Sequence, residues 1–184
     1  MKQLLITIAA LVMVGCGESQ KSALSSEARP VEPVAKAATP EPQTAKAPDI
    51  SIHQAAFNEN FAAVKQHIAA GTDVNAKDTY GSTALTSAVI GSRKEIVEIL
   101  IDKGADVNGK DHIEWSPLHH AVVEGHKEIV KLLIAKGADV NLVNTKMLDI
   151  TALDHAEIVN KKDIADLLRK HGGKTAEELK ADEN

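Results

Sequence analysis

Histidine is the side chain through which this 184-residue sequence has most chemistry to offer: His112, His119, His120 and His126 crowd one short stretch and His155 follows. Neutral imidazole ligates metals and exchanges protons near neutral pH. His112, His120 and His155 are the set that would build a metal-handling site, with His120 and His155 the best pair. Adjacent helical residues point about 100° apart, so His119 and His120 cannot readily share one ion. A second set, Asp73, Asp106 and Asp139 with Asn75, Asn108 and Asn141, offers oxygen ligands of the kind calcium takes. These recur every 33 residues, which on packed helices separates neighbours by about 8–10 Å, whereas calcium holds its oxygens at about 2.4 Å. They read instead as turn residues that satisfy backbone donors. The only cysteine is Cys16, and no serine, histidine and acid converge outside the repeating pattern. No phosphate-cradling glycine loop is present. The sequence therefore predicts no catalytic residues, no cofactor and no bound metal, with a metal-binding protein using the clustered histidines as the alternative.

The elements that position these residues repeat. SPLHHAVVEGHKEIVKLLIAKGADVN, from Ser116 to Asn141, returns 33 residues earlier as STALTSAVIGSRKEIVEILIDKGADVN at Ser82 to Asn108. Equivalent unit starts fall at Ile50, Thr83, Ser116 and Thr151, spaced by 33, 33 and 35 residues. Periods of this size mean a stacked array in which each unit buries a face against its neighbour. Ser116 followed by Pro117 is an N-cap with proline at the first helical position, and Gly137 supplies a left-handed helix end. Small Ala55, Ala88, Ala121 and Ala156 let helices approach. Gln66 and His67 stand where later units carry Ile99-Leu100 and Leu132-Leu133, as a solvated N-terminal cap would require. Thr175 to Glu178 reads as a capping box opening a last short helix, with Leu179 available to cover the fourth unit.

The motifs ISIHQA, TALTSA, SPLHHA and TALDHA, together with GTDVN and GADVN, resemble the ankyrin-repeat signature. The resemblance implies an all-α solenoid of four helix-turn-helix units with projecting hairpins, over residues 49–184. Repeats are expected near 49–81, 82–114, 115–149 and 150–173, and a C-terminal capping helix at 175–182. It implies that His53 and His119, with Thr86 and Asp154 in the same slot, hold loop backbone. It also implies binding to another protein through hairpin tips and first helices. Carried over residue by residue, the contact positions are Thr79, Tyr80 and Ser82 on the first hairpin, His112, Ile113 and Trp115 on the second, and Met147 and Leu148 on the third. Tyr80 and Trp115 are expected on solvent-facing tips, where aromatic side chains commonly anchor interfaces. Ile90 and Val123, in register with Phe57 and Ile158 at the ends of the first helices, could floor a groove, and His120 and His155 lie on the same faces. Two departures stand out: Glu114 replaces the usual hairpin glycine, and the last hairpin, LVNTKMLDI from Leu142 to Ile150, carries two extra residues.

Charge and composition narrow the partners further. The formal net charge is -5 and no basic stripe exists to neutralise a phosphate backbone, so nucleic acid is not expected. One cysteine leaves no disulfide within the chain. MKQLLITIAALVMVGC has a basic start, an apolar run too short to cross about 30 Å of hydrocarbon as a permanent span, and a small residue before Cys16. MVGC resembles the bacterial lipobox, which implies a lipoprotein signal peptide at 1–15 and a lipidated Cys16 as mature N-terminus. Gly17, not aspartate, follows, which favours the outer membrane facing the periplasm. Residues 16–48, rich in alanine and proline, are expected to be a disordered tether that reaches roughly 30 Å as a coil and about 100 Å fully extended. The expected address is thus the bacterial cell envelope, with membrane contact through lipidated Cys16 only.

Overall fold

A computed structural model describes residues 46–146 and 149–182. The signal peptide, Cys16, most of the tether, Met147 and Leu148 lie outside the described residues. Nine helices and no strand are found among those described, in the order α1 (Ile52–Phe57), α2 (Phe61–Ala69), α3 (Ala84–Ile90), α4 (Lys94–Asp102), α5 (Pro117–Glu124), α6 (Lys127–Ala135), α7 (Ala152–Ile158), α8 (Lys162–Lys170) and α9 (Ala176–Asp182). Each odd helix from α1 to α7 pairs with the even helix after it. The odd helices also pack on one another in sequence, and α6 packs between α4 and α8. The result is two layers of short helices with a loop projecting between units.

The local chemistry that starts and stops these helices repeats with the period. The hydroxyls of Ser51, Thr83, Ser116 and Thr151 cap α1, α3, α5 and α7 by accepting from Gln54 N, Thr86 N, His119 N and Asp154 N. The first cap is Ser51, one residue later than the repeat register predicts from Ile50. Each odd helix then turns into its even partner through one left-handed residue: Glu59, Ser92, Gly125 and Asn160 at φ 60°, 60°, 80° and 54°. Only Gly125 occupies that conformation without a Cβ penalty.

The seam between layers consists of Leu85, Leu118 and Leu153 with Ile96, Val97, Leu100, Ile129, Val130, Leu133, Ile164 and Leu168, all buried. Ala55, Ala88, Ala121 and Ala156 have no exposed surface, so their small side chains set how closely the odd helices approach. Unfolding would expose these side chains to water at about 1.5–3 kcal/mol for each of the larger ones, which is the main force holding the stack together.

The two ends close differently from the interior, and one of them differs from expectation. Gln66 is exposed as predicted, but His67, at the core position of Leu100 and Leu133, is buried. Its Nε2 bonds the Ile50 carbonyl at 2.7 Å and its Nδ1 the Thr72 hydroxyl at 3.2 Å. Both ring nitrogens being satisfied, a polar side chain is tolerated where leucine stands elsewhere. Gln66 Nε2 also donates to the Lys46 carbonyl, so Lys46, expected in the tether, is tied to α2. At the other end the capping box forms as expected: Thr175 N donates to Glu178 Oε2 at 2.8 Å and Glu178 N to Thr175 Oγ1 at 3.2 Å. Glu157, exposed, occupies the position that buried Val89 and Val122 hold in earlier units. That outward polar residue marks the last unit.

Candidate interaction surface

Three hairpins project from the layers, and an acid or amide at the base of each organises it. Asp78 Oδ1 accepts from Tyr80 N and Ser82 N at 2.8 and 2.9 Å. Asp111 Oδ1 accepts from Ile113 N and Trp115 N at 3.0 and 2.9 Å. Asn144 Oδ1 accepts from Lys146 N at 3.0 Å, and Asn144 pairs its backbone with Ile150. The two extra residues of the third hairpin fall in the sequence between Asn144 and Ile150, and the base of the hairpin keeps the common form. Gly81, Glu114 and Asp149 occupy the same left-handed place at φ 74°, 65° and 50°. Glu114 offsets some of that strain by accepting from Thr145 Oγ1 at 2.6 Å and Thr145 N at 3.3 Å. The Thr145 hydroxyl is also the main reason its carboxyl sits below the usual range.

Neighbouring hairpins are stapled together. His112 N donates to the Tyr80 carbonyl at 3.2 Å, and Lys146 Nζ to the His112 carbonyl at 2.8 Å. Lys77 Nζ donates to the Lys110 carbonyl and Lys110 Nζ to the Val143 carbonyl. The His112 ring rests on Gly81 so closely that a Cβ there would meet its Cδ2 at 2.3 Å, so this position requires glycine.

The Asp and Asn ladders divide their labour. Each aspartate caps its own turn, as Asp106 Oδ1 does for Asn108 N at 2.9 Å. Each asparagine bridges to the next unit: Asn75 accepts from Asp106 N and donates to the Gly104 carbonyl, Asn108 does so with Asp139 N and Gly137, and Asn141 with Lys174 N and Gly172. The turn reading holds for the aspartates. The asparagines are inter-unit staples.

Of the expected contact residues, Thr79 and His112 are exposed and Ser82 and Val123 half-buried. Tyr80 at 77%, Ile113 at 45% and Ile90 at 36% exposure present apolar surface to solvent. Phe57 and Ile158 in the same register as Ile90 are also exposed, and Val159 adds to Ile158. Val159 escaped the sequence reading, since nothing in its spacing separates it from a packed valine.

Trp115 does not stand on a solvent-facing tip. It is half-buried, its ring 5.0 Å from that of His120 and 4.8 Å from that of His155, both edge-on. The cause is the column behind it: units three and four place imidazoles at equivalent positions, and the indole fills the space between them and the hairpin. His120, half-buried, gives its Nε2 to Asp111 Oδ2 at 2.9 Å, and His155 is buried. His112 lies on Gly81 instead, so of the three histidines of the metal reading only His120 and His155 share a neighbour, the Trp115 indole. Among the described residues no three His, Cys, Asp or Glu side chains form a metal-holding group.

The histidine slot behaves as the resemblance implied at its first occurrence, where His53 Nε2 bonds the Ala76 carbonyl at 2.9 Å. His119 Nε2 is buried towards the Leu142 carbonyl without reaching hydrogen-bonding geometry. Burial, and secondarily the neighbouring His155, His120 and Lys110, push the His119 imidazole down to about 4. Burial also lowers His155, with His120 adding to it, against the opposing pull of the Thr151 carbonyl and Asp154.

Stacked helix pairs with stapled loops define an α-helical repeat solenoid. A family model of ankyrin repeats in three copies matches residues 52–144, and the chain belongs to the ankyrin-repeat family, a fold of non-catalytic protein–protein interaction modules. The match ends at Asn144, and the geometry carries the same unit through α7 and α8. No curated protein matches the chain.

Proposed function

We propose that this chain is a lipid-anchored binding module of the bacterial cell envelope, held through Cys16, most simply on the outer membrane facing the periplasm. It binds a protein partner through its hairpin tips and first helices, without catalysis, cofactor or metal. The observation that carries this reading is the pairing of exposed Tyr80 and Ile113 on hairpins tied by His112 N and the Tyr80 carbonyl. At the far ends of the first helices Phe57, Ile90 and Ile158 are exposed apolar side chains as well. Because the tips are fixed by backbone bonds before any partner arrives, association need not spend free energy on ordering a loop. Such a surface suits an immunity protein that blocks a toxin, or an adaptor or chaperone for an envelope enzyme.

The test is capture of partners from envelope extracts by the wild-type chain and by Tyr80→Ala and Ile113→Ala. Loss of an aromatic anchor commonly costs about 2 kcal/mol or more, roughly 30-fold in affinity. Recovery of every partner at wild-type level by both variants refutes this face. The address is tested separately by the mass of the mature chain, which must begin at Cys16 and carry acyl groups.

A further inference from the structure

We propose that the imidazole cluster around Trp115 is an acid-sensitive latch, which holds the second hairpin against α5 and α7 when neutral and releases it when His119 or His155 takes up a proton. The indole of Trp115 is wedged between the rings of His120 and His155, and His119 stands 5.7 Å from His155. Two imidazoles therefore flank the indole, a third packs on one of those two, and the indole ends the hairpin Asp111–Trp115.

The hydrogen bonds fix what each ring does. His119 Nδ1 accepts from Ser116 N at 3.2 Å and contacts Ser116 Oγ at 2.8 Å. It is thus the lone-pair nitrogen of the capping box that opens α5, and Nε2 carries the proton. A second proton can go only onto Nδ1, where it would face the Ser116 N–H and break the box. His155 Nδ1 lies 3.2 Å from the Thr151 carbonyl and donates to it, so His155 can be protonated only at Nε2.

The charged groups facing the cluster are few: Asp111 and Lys110 from the second hairpin and Asp154 from α7. His120 Nε2 is paired with Asp111 Oδ2, 2.9 Å away. A proton on His119 finds no acid to pair with, since Lys110 and two further imidazoles are the side chains that act on it. Asp154 favours a proton on His155, but burial outweighs that pull, and Asp154 Oδ2 is itself occupied by Thr151 N, Thr151 Oγ1 and Ala176 N. Opening the hairpin hydrates both rings and removes the conflict. The burial that lowers both groups has the same sign: protons are taken up more readily by the open form. The latch is a property of the free chain; its consequence for binding, that acid withdraws Ile113 from the proposed face, rests on the preceding reading.

Trp115 is the only tryptophan, so its emission reports the latch without a partner. The full-length mature chain is titrated downward from neutral pH while emission and far-ultraviolet circular dichroism are recorded together. The expected result is a shift of emission to longer wavelength between the ordinary imidazole value of 6.5 and about 4, at pH values where the helical signal is intact. His155→Gln should move or abolish this transition, as should His119→Gln if it folds, and His171→Gln, on an exposed residue away from the cluster, should leave it in place. An emission change that coincides with loss of helix, or that survives unchanged in His155→Gln, overturns the latch. So does constant emission over the whole range.

Discussion

Replacing Asn108 with alanine isolates the bond that couples one unit to the next. Its Oδ1 accepts from Asp139 N at 2.9 Å and its Nδ2 reaches the Gly137 carbonyl at 3.5 Å, the limit of a useful bond. A net hydrogen bond contributes about 1 kcal/mol. The longer bond adds little, so the expected loss is about 1–1.5 kcal/mol. With a urea slope of about 1–3 kcal/mol/M, that lowers the unfolding midpoint by roughly 0.3–1.5 M. Asn75, whose two bonds measure 3.0 and 2.8 Å, should cost more on truncation, about 2 kcal/mol. Asn108→Asp keeps the acceptor for Asp139 N and loses only the donor, so it should fall between wild type and alanine. Urea unfolding followed by circular dichroism ranks the variants. A stack stabilised by nearest-neighbour interfaces should also unfold less cooperatively once a staple is cut. If Asn108→Ala unfolds at the wild-type midpoint, or Asn108→Asp loses as much as alanine, water replaces the staple and the coupling lies wholly in the apolar seam.

Other perturbations follow from the same geometry. Ser92→Gly, at φ 60° where Gly125 stands one unit later, should raise stability by about 0.5–1 kcal/mol, the left-handed penalty less the extra freedom of glycine in the unfolded chain; thermal unfolding reads it. Leu133→Ala, at a site with no exposed surface, should cost about 2–5 kcal/mol through lost transfer energy and a cavity, measured by urea unfolding. The His119 imidazole, held at about 4 against an ordinary 6.5, contributes stability that is intact above the unfolded value and lost as pH falls towards the folded one. That window is worth about 3 kcal/mol in all and about 2 kcal/mol by pH 5. Urea midpoints at pH 7.5 and pH 5 should differ accordingly, and a pH-independent midpoint contradicts the burial argument.

The period, the caps and the alanine column were legible in the sequence because each depends on one residue type at one spacing. Ser116-Pro117 and the Thr175–Glu178 box fold as their local chemistry dictates. What was not legible required knowing which side chains meet across units. His67 looked like a solvated cap because histidine usually is; it is buried because the chain at Ile50 crosses it and accepts its proton. Trp115 looked like a tip anchor because its neighbours in sequence are exposed; it turns inward because imidazoles 5 and 40 residues downstream leave a ring-sized space. Asp111 could have been found by adding 33 to Asp78, and the repeat itself was the signal.

The side chains at the hairpin tips do not set hairpin conformation here. Asp78 and Asp111 hold the two tips by accepting from backbone N–H groups, and the staples from Lys77 and Lys110 also end on carbonyls. Thr79, Tyr80 and Ile113 lie inside these loops, and the loop closures do not require their side chains. Such positions can change identity at little cost to the fold, which is what a family of binding modules needs if one scaffold is to fit many partners. Trp115 is the instructive contrast. One residue past the αL turn at Glu114, it has become part of the packing, and its substitution should destabilise the second hairpin before it touches any partner. Tyr80→Ala and Trp115→Ala, chemically similar truncations on adjacent hairpins, should therefore separate cleanly. The first is expected to weaken capture with an unchanged urea midpoint, and the second to lower the midpoint. A Tyr80→Ala chain that unfolds as readily as Trp115→Ala would show that the tips are structural after all.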